Sequence, residues 1–266
     1  MIYFRYEHCR ARRTIRKTRI RTRDSSGQCS SRRNPADIVV QFSGHVHLFG
    51  GASLVLFYGS PRHSGDLDLL VSAEKPPNAD ELQRVLEQPL RAAAETLGFS
   101  QLTIEPVRSI GEFLKLAVKG EQVLFTIDLT EISAVIRSEL VSFPIPSDSK
   151  EHATVLVPSR GLQLLLKAEA FLKRPFLKTR DAFDIKLLCD SGASLDENLK
   201  AHLADGPVAD RLEDPHFITE RIRGVNSKNC RPELEPYLPQ EVYDELEKAD
   251  FESLRQALRE LFADWL

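Results

Sequence analysis

The chain has 266 residues, 28% of them charged and 42% hydrophobic, with a formal net charge of −3; that length allows one large domain or two smaller ones with a sizeable core. Its four cysteines, Cys9, Cys29, Cys189 and Cys230, show no short paired spacing, which argues against a disulfide frame or zinc site and for a reducing compartment. No run approaches the roughly 18 apolar residues that span a bilayer, and the start lacks the apolar core of a secretory signal, so a soluble, cytoplasmic protein without a membrane partner is expected.

Charge is uneven along the chain. Residues 1–33 hold 11 Lys or Arg against Glu7 and Asp24, leaving 25 basic and 37 acidic residues beyond them. Three readings of this basic arm stay open. It is a flexible contact for nucleic-acid phosphates, an Arg- and Ser-rich presequence, or translated upstream sequence, because Met1 is the only methionine and a start at another codon would leave no trace.

After Pro35, ADIVVQF reads as a short helix and HVHLFGG as a strand ending in glycines. ASLVLFYG is then a two-turn apolar helix, SPRHSG a turn, and DLDLLVS a strand with Leu67, Leu69 and Val71 on one face. Residues 79–98 predict an amphipathic helix closed by Gly98 and kinked or divided at Pro89. SQLTIEPV, EFLKLAVKG and QVLFTIDLTEI read as strands, the last two joined by a hairpin at Gly120 and Glu121. From Ser159 the pattern turns helical, through SRGLQLLLKAEAFLKR, TRDAFDIKLLCD, PQEVYDELEKA and FESLRQALRELFADWL. The predicted fold class is α+β: a mixed β-sheet with flanking helices over residues 34–155, then a helical domain over 156–266.

Chemistry concentrates around DLDLLVS. Asp66 and Asp68, two apart on a strand, point the same way with Cβ atoms about 7 Å apart. Two like charges on an apolar strand are costly unless solvated, paired or bound to a hard cation such as Mg²⁺. Gly50 and Gly51 stand at a strand-to-helix turn, where free amides and the helix dipole receive phosphate and missing side chains permit close approach. Gly59 and Ser60 read instead as the exit of the short helix. A two-metal phosphoryl-transfer site needs a third carboxylate; Asp128, interrupting an apolar strand, is the candidate, Glu131 the reserve, and a solvated strand end the alternative. His63, in the turn, reads as solvated, and His45 and His47 as the polar face of an edge strand.

Downstream, Lys167 lies in an apolar helix and must reach water or an anion; Arg174 is seven residues on, on the same face. Either both snorkel to solvent or both face a ligand. Arg180 and Asp184 have the spacing of a plain helix salt bridge, and Asp181 suits a helix start.

A glycine pair opening a helix, an acid-x-acid strand and a later strand acid resemble the DNA polymerase beta-type nucleotidyltransferase superfamily. Within it, GGASLVLFYGSPRHSGDLDL is most similar to the AbiEii/AbiGii toxin group, whose form is GG then Ser or Thr, a short helix, then R-x-S-x-D-x-D. Gly50, Gly51, Arg62, Ser64, Asp66 and Asp68 match it. LLLKAEAFLKRPFLKTRDAFDIKLL resembles the group's later K-x-x-A-x-x-x-R and RD-x-x-D motifs. The resemblance covers roughly residues 44–190 and departs at Ala52, which replaces the hydroxyl; Ser53 is one place later and about 100° further round the helix.

The resemblance implies a nucleotidyltransferase-like fold and transfer of a nucleoside monophosphate from an NTP with release of pyrophosphate. It implies Mg²⁺ or Mn²⁺ on Asp66, Asp68 and Asp128. Gly50, Gly51, Ser53, Arg62, Ser64, Lys167 and Arg174 would bind the nucleotide, and Asp181 and Asp184 would act in the cleft with Lys167. The implied acceptor is RNA, possibly tRNA, and the implied partner a cognate antitoxin. A small-molecule nucleotidyltransferase and a non-catalytic nucleotide-binding relative are the competing readings.

Overall fold

The computed structural model describes residues 46–72, 103–110, 113–119, 123–132, 139–144 and 154–266, together with Asp80, Arg84 and Glu87. The basic arm, the ADIVVQF segment, His45 and the Gly120–Glu121 turn lie outside the described residues, as does most of the 79–98 helix, of which Asp80, Arg84 and Glu87 are helical.

Strand β1 (Val46–Phe49) runs directly into helix α1 (Gly50–Phe57), which begins at the glycine pair, two residues earlier than the sequence suggests. Gly50 has φ of +67°, a left-handed conformation that glycine adopts without steric cost. Chain direction therefore changes within one residue. Gly59, φ +71°, follows the helix and the Ser60 amide returns to the Leu54 carbonyl at 3.0 Å, so this second glycine is the helix exit, as its spacing predicts.

Strands β2 (Asp66–Ser72), β3 (Thr103–Ile110), β4 (Phe113–Lys119) and β5 (Val123–Ile132) complete a five-stranded mixed sheet of order β1-β2-β5-β4-β3. β2 is antiparallel to β1 and parallel to β5, and β4 pairs antiparallel with both β5 and β3. Two strands unforeseen in the sequence, β6 (Leu140–Pro144) and β7 (Thr154–Pro158), form a separate antiparallel pair. His47 is buried rather than part of a solvated edge; β1 sits at the end of the sheet order, but His47 and Leu48 are both covered.

The helices are α2 (Arg160–Lys173), α3 (Thr179–Asp190), α4 (Glu197–Ala204), α5 (Ala209–Leu212), α6 (Pro215–Arg223), α7 (Ser227–Leu234), α8 (Gln240–Lys248) and α9 (Glu252–Leu261). Ser159 starts α2 by accepting from the Leu162 amide at 3.2 Å, a cap worth about 1 kcal/mol. Its buried face, Leu162, Leu165, Ala168, Phe171 and Leu172, has the three- and four-residue spacing of one helix stripe. In α3 the buried stripe contains Asp181 and Asp184 beside Ile185 and Leu188. Two carboxylates on a core-facing stripe demand partners. Leu54 of α1 and Leu70 of β2 belong to the same apolar cluster as the α2 and α3 side chains, which anchors the glycine turn and the acidic strand to the helices.

Candidate active site

The sheet supplies the acidic half. In the parallel β2–β5 register Asp66 aligns with Thr126 and Asp68 with Asp128, and alternation puts all four residues on one face. Thr126 Oγ1 donates to Asp66 Oδ1 at 2.6 Å. Burial pushes the Asp68 carboxyl up to about 6; Lys167 and Arg174 oppose, while the neighbouring Asp128 and Asp66 push the same way as burial. Glu131, the reserve candidate, aligns with Val71, an odd step from Asp128.

The glycine turn closes over this half. A Cβ on Gly50 would stand 2.2 Å from Asp68 Oδ2, and one on Gly51 would stand 2.7 Å from Ser64 Oγ and 2.8 Å from Arg62 Nη2. A side chain at Gly50 would be strained by its positive φ and by Asp68, and one at Gly51 would require Ser64 and Arg62 to shift. The Ser64 hydroxyl donates to the Asp66 carbonyl at 3.0 Å, tying the turn to the start of β2. Ala52 and Ser53 are both buried. Ser53 donates to the Gly50 carbonyl at 2.9 Å and accepts from Gln163 Nε2 at 2.5 Å; its offset round the helix turns the hydroxyl inward, where it holds the turn from below.

The helices supply a second half built from alternating charges. Arg62, 4% exposed, presents its fork to Asp184: Nε to Oδ1 at 2.9 Å and Nη2 to Oδ2 at 2.8 Å. Lys167 Nζ lies 2.8 Å from Asp184 Oδ2 and 3.4 Å from Asp181 Oδ1. Arg174 Nε lies 3.2 Å from Asp181 Oδ2. Burial alone would raise the Asp184 carboxyl, but Lys167 and Arg62 outweigh it and hold it below the usual range. Burial likewise works against the Lys167 charge, and Asp184 and Asp181 override it upward. Five ions thus alternate in sign, with Arg62, Asp184 and Asp181 buried, the Lys167 side chain 12% exposed and Arg174 about half exposed at the end, the pairing that lets buried charge persist.

The twelve candidate residues thus fall into three groups around one locus. Asp66, Asp68 and Asp128 share the sheet face. Gly50, Gly51, Ser53 and Ser64 form the turn against them, and Arg62, Lys167, Arg174, Asp181 and Asp184 form the ion chain, whose Lys167 and Arg174 act electrostatically on Asp68. Lys167 does not snorkel; Arg174 is about half exposed but still paired with Asp181. The anticipated Arg180–Asp184 helix pair is absent, because Asp184 is taken by Arg62 and Lys167. Arg180 pairs with Glu233 at 3.2 Å and lies over the Tyr237 ring at 4.7 Å. His63 is exposed, its amide donating to the Tyr237 carbonyl at 2.8 Å. Sequence reasoning missed Gln163, fully buried and one turn before Lys167 on α2. A polar residue four before the lysine in an otherwise apolar stripe was the available signal.

Hard oxygen donors on adjacent strands, one of them desolvated beside like charges, suit a divalent cation of the Mg²⁺ type. Among the described residues no group of three or more His, Cys, Asp or Glu side chains converges into a metal cage; Mg²⁺ ordinarily completes its shell with water and substrate phosphates.

The profile of the AbiEii family, described as the nucleotidyl transferase AbiEii toxin of type IV toxin–antitoxin systems, matches residues 38–265. The chain belongs to the AbiEii family. It is therefore a nucleotidyltransferase, and the glycine turn and acid-x-acid strand of this AbiEii protein are the parts described above. Among solved structures, JHP933 from Helicobacter pylori aligns over 86% of this chain and 88% of its own at 16% identity and TM-score 0.49. An antigenic nucleotidyltransferase-like protein from Paracoccidioides brasiliensis aligns over 71% and 89% at 14% identity and TM-score 0.37. At these values the family profile alone carries the assignment. No curated protein matches the sequence. No helix among the described residues is long and apolar enough to cross a membrane.

Proposed function

We propose that this AbiEii protein transfers a nucleoside monophosphate from an NTP to an RNA acceptor, tRNA being the leading candidate, as the toxin of a cytoplasmic type IV pair with a cognate antitoxin. The observation that carries the reading is the direct register of Asp68 with Asp128 beneath a glycine turn, with Lys167 in electrostatic reach of Asp68. In this reading residues 34–155 are the nucleotidyltransferase domain and 156–266 a helical domain that closes over the nucleotide.

Asp66, Asp68 and Asp128 would hold Mg²⁺ or Mn²⁺, which when bound neutralises charge on the reacting phosphate oxygens. The α1 amides at Gly51 and Ala52 take phosphate oxygens at the helix N-terminus, and Ser53, bonded to Gln163, fixes the turn that presents them. Lys167 and Arg174 offset the triphosphate charge while Asp181 and Asp184 orient them; Arg62 anchors Asp184 and stands behind Gly51 and Ser64. The acceptor hydroxyl attacks the α-phosphorus in line, the α–β anhydride breaks, pyrophosphate leaves, and Asp128 receives the hydroxyl proton. Rate comes from positioning and charge neutralisation.

Incubation with Mg²⁺ and each α-labelled NTP, with and without bulk tRNA, tests this. Label in tRNA, lost in Asp66→Ala, is the expected result. Label on a small acceptor instead moves the protein to the antibiotic-type reading, and label nowhere leaves a non-catalytic nucleotide-binding relative.

A further inference from the structure

Of the two acids on β2, one is held by packing and the other by hydrogen bonds. Asp68 lies against the glycine turn, its Oδ2 so near Gly50 that a Cβ there would stand 2.2 Å away. Asp66, the first residue of the strand, is exposed, so close packing does not choose its rotamer. Two hydrogen bonds reach it instead. Ser64 donates to its carbonyl at 3.0 Å, and Thr126 Oγ1 donates to its Oδ1 at 2.6 Å. The second has the short length of a hydroxyl donating to a charged carboxylate.

Thr126 belongs to none of the motifs, yet β5 delivers it with little freedom. Ile127 beside it and Leu129 are 0% and 2% exposed, and Leu69 of β2, aligned with Leu129, is 1% exposed. A one-residue slip of β5 would turn these apolar side chains out of the core, so the alignment of Thr126 with Asp66 is fixed by the packing beneath it. The β-branched side chain adds a stiff χ1. Water can replace a hydrogen bond to an exposed acid with little loss of stability; what water does not supply is a fixed direction. The Thr126 hydroxyl therefore matters to where the Asp66 oxygens point more than to whether the strand forms.

We propose that Thr126 is a positioning residue: by engaging Asp66 Oδ1 it leaves Oδ2 as the single oxygen offered to a divalent cation, and so sets the preference of the site for Mg²⁺ over Ca²⁺. This rests on the reading of Asp66, Asp68 and Asp128 as the metal-holding acids. Mg²⁺ demands a near-octahedral shell filled largely by water and phosphate, which one oxygen per carboxylate suits, whereas Ca²⁺ takes roughly six to eight oxygens and accepts both from one carboxylate. A hydrogen-bond partner behind a ligand fixes its orientation, and losing that partner lowers metal affinity by about ten- to a hundredfold. Without the Thr126 hydroxyl, Asp66 is free to turn both oxygens toward one ion, a change that costs Mg²⁺ and not Ca²⁺.

The probe is Mn²⁺, octahedral with oxygen donors like Mg²⁺ and visible by electron paramagnetic resonance, added to the full chain without nucleotide. Bound Mn²⁺ that is missing in Asp68→Asn reports this site, and titration with Mg²⁺ or Ca²⁺ displaces it. Thr126→Val, of the same shape without the donor, should lower Mg²⁺ affinity about tenfold and leave Ca²⁺ affinity within about twofold of wild type. Thr126→Ser, which keeps the hydroxyl, should hold the ratio of the two affinities near that of wild type. Circular dichroism shows that each variant is folded.

An unchanged Mg²⁺ to Ca²⁺ ratio in Thr126→Val overturns the proposal, whether both affinities are kept or both fall together; the joint fall is what a merely loosened strand produces. A wild type with no Asp68-dependent Mn²⁺ removes the metal reading itself and this proposal with it. Because no turnover is read, an inactive transferase meets this test on the same terms as an active one.

Discussion

The two halves of the site handle charge in opposite ways. On the sheet, Asp66, Asp68 and Asp128 crowd like charges on one face, and burial with mutual repulsion leaves Asp68 with a carboxyl at about 6. On the helices, Arg62, Asp184, Lys167, Asp181 and Arg174 alternate in sign, and Asp184 is held below the usual range. The difference teaches which half awaits a ligand. Accumulated negative charge is a stability cost that a cation relieves, whereas the ion chain is already satisfied and serves to fix its members in place.

The largest expected effect is on the satisfied half. Asp184→Ala leaves Arg62 and Lys167 buried without their shared carboxylate and should destabilise the fold by about 3–5 kcal/mol, read as a lower denaturant midpoint. A loss below 1 kcal/mol would mean the chain is solvated and the contrast false. On the sheet half, Asp68→Asn should lower transfer about a hundredfold or more while the protein stays folded by circular dichroism.

Smaller effects probe the joint between the halves. Ser53→Ala leaves the Gln163 amide buried without its acceptor, at a cost of about 1–3 kcal/mol; Gln163→Leu in the same background should recover part of it. No coupling between the two substitutions would detach α2 from the glycine turn.

The smallest effect is on the pH dependence of stability. The folded Asp68 pKa, about 6, lies above its usual 3.8, so the folded state binds this proton more tightly than the unfolded chain. The group therefore favours folding below about pH 4 and loses that contribution as pH rises through 6. In metal-free buffer Asp68→Asn should raise Tm by about 5 °C at pH 7 and by little at pH 4. A gain at pH 4 as large as at pH 7 would remove the charge explanation.

Much of the sheet half is legible in the chain. Asp66 and Asp68 break an apolar strand with a period of two, Asp128 breaks another, and Gly50 and Gly51 punctuate a strand-to-helix turn. What local pattern cannot provide is adjacency: that Asp68 aligns with Asp128, rather than with a residue of β3 or β4, depends on sheet order. The ion chain is harder still, since Arg62 and Asp184 are 122 residues apart, and the local i to i+4 expectation for Arg180 yields to Glu233 once α7 packs beside α3. β6 and β7 are five residues each, too short for alternation to distinguish them from loop. Gln163 carries no motif and gains meaning only when Ser53 is seen above it.

The most direct measurement of the central claim, that the acidic face of the sheet and the ion chain of the helices form one nucleotide site, is calorimetric binding of a non-hydrolysable NTP analogue with and without Mg²⁺. Wild type should bind more tightly with Mg²⁺. Asp68→Asn should lose that metal dependence, and Lys167→Gln should bind more weakly while keeping it. Binding by both variants indistinguishable from wild type would contradict the account.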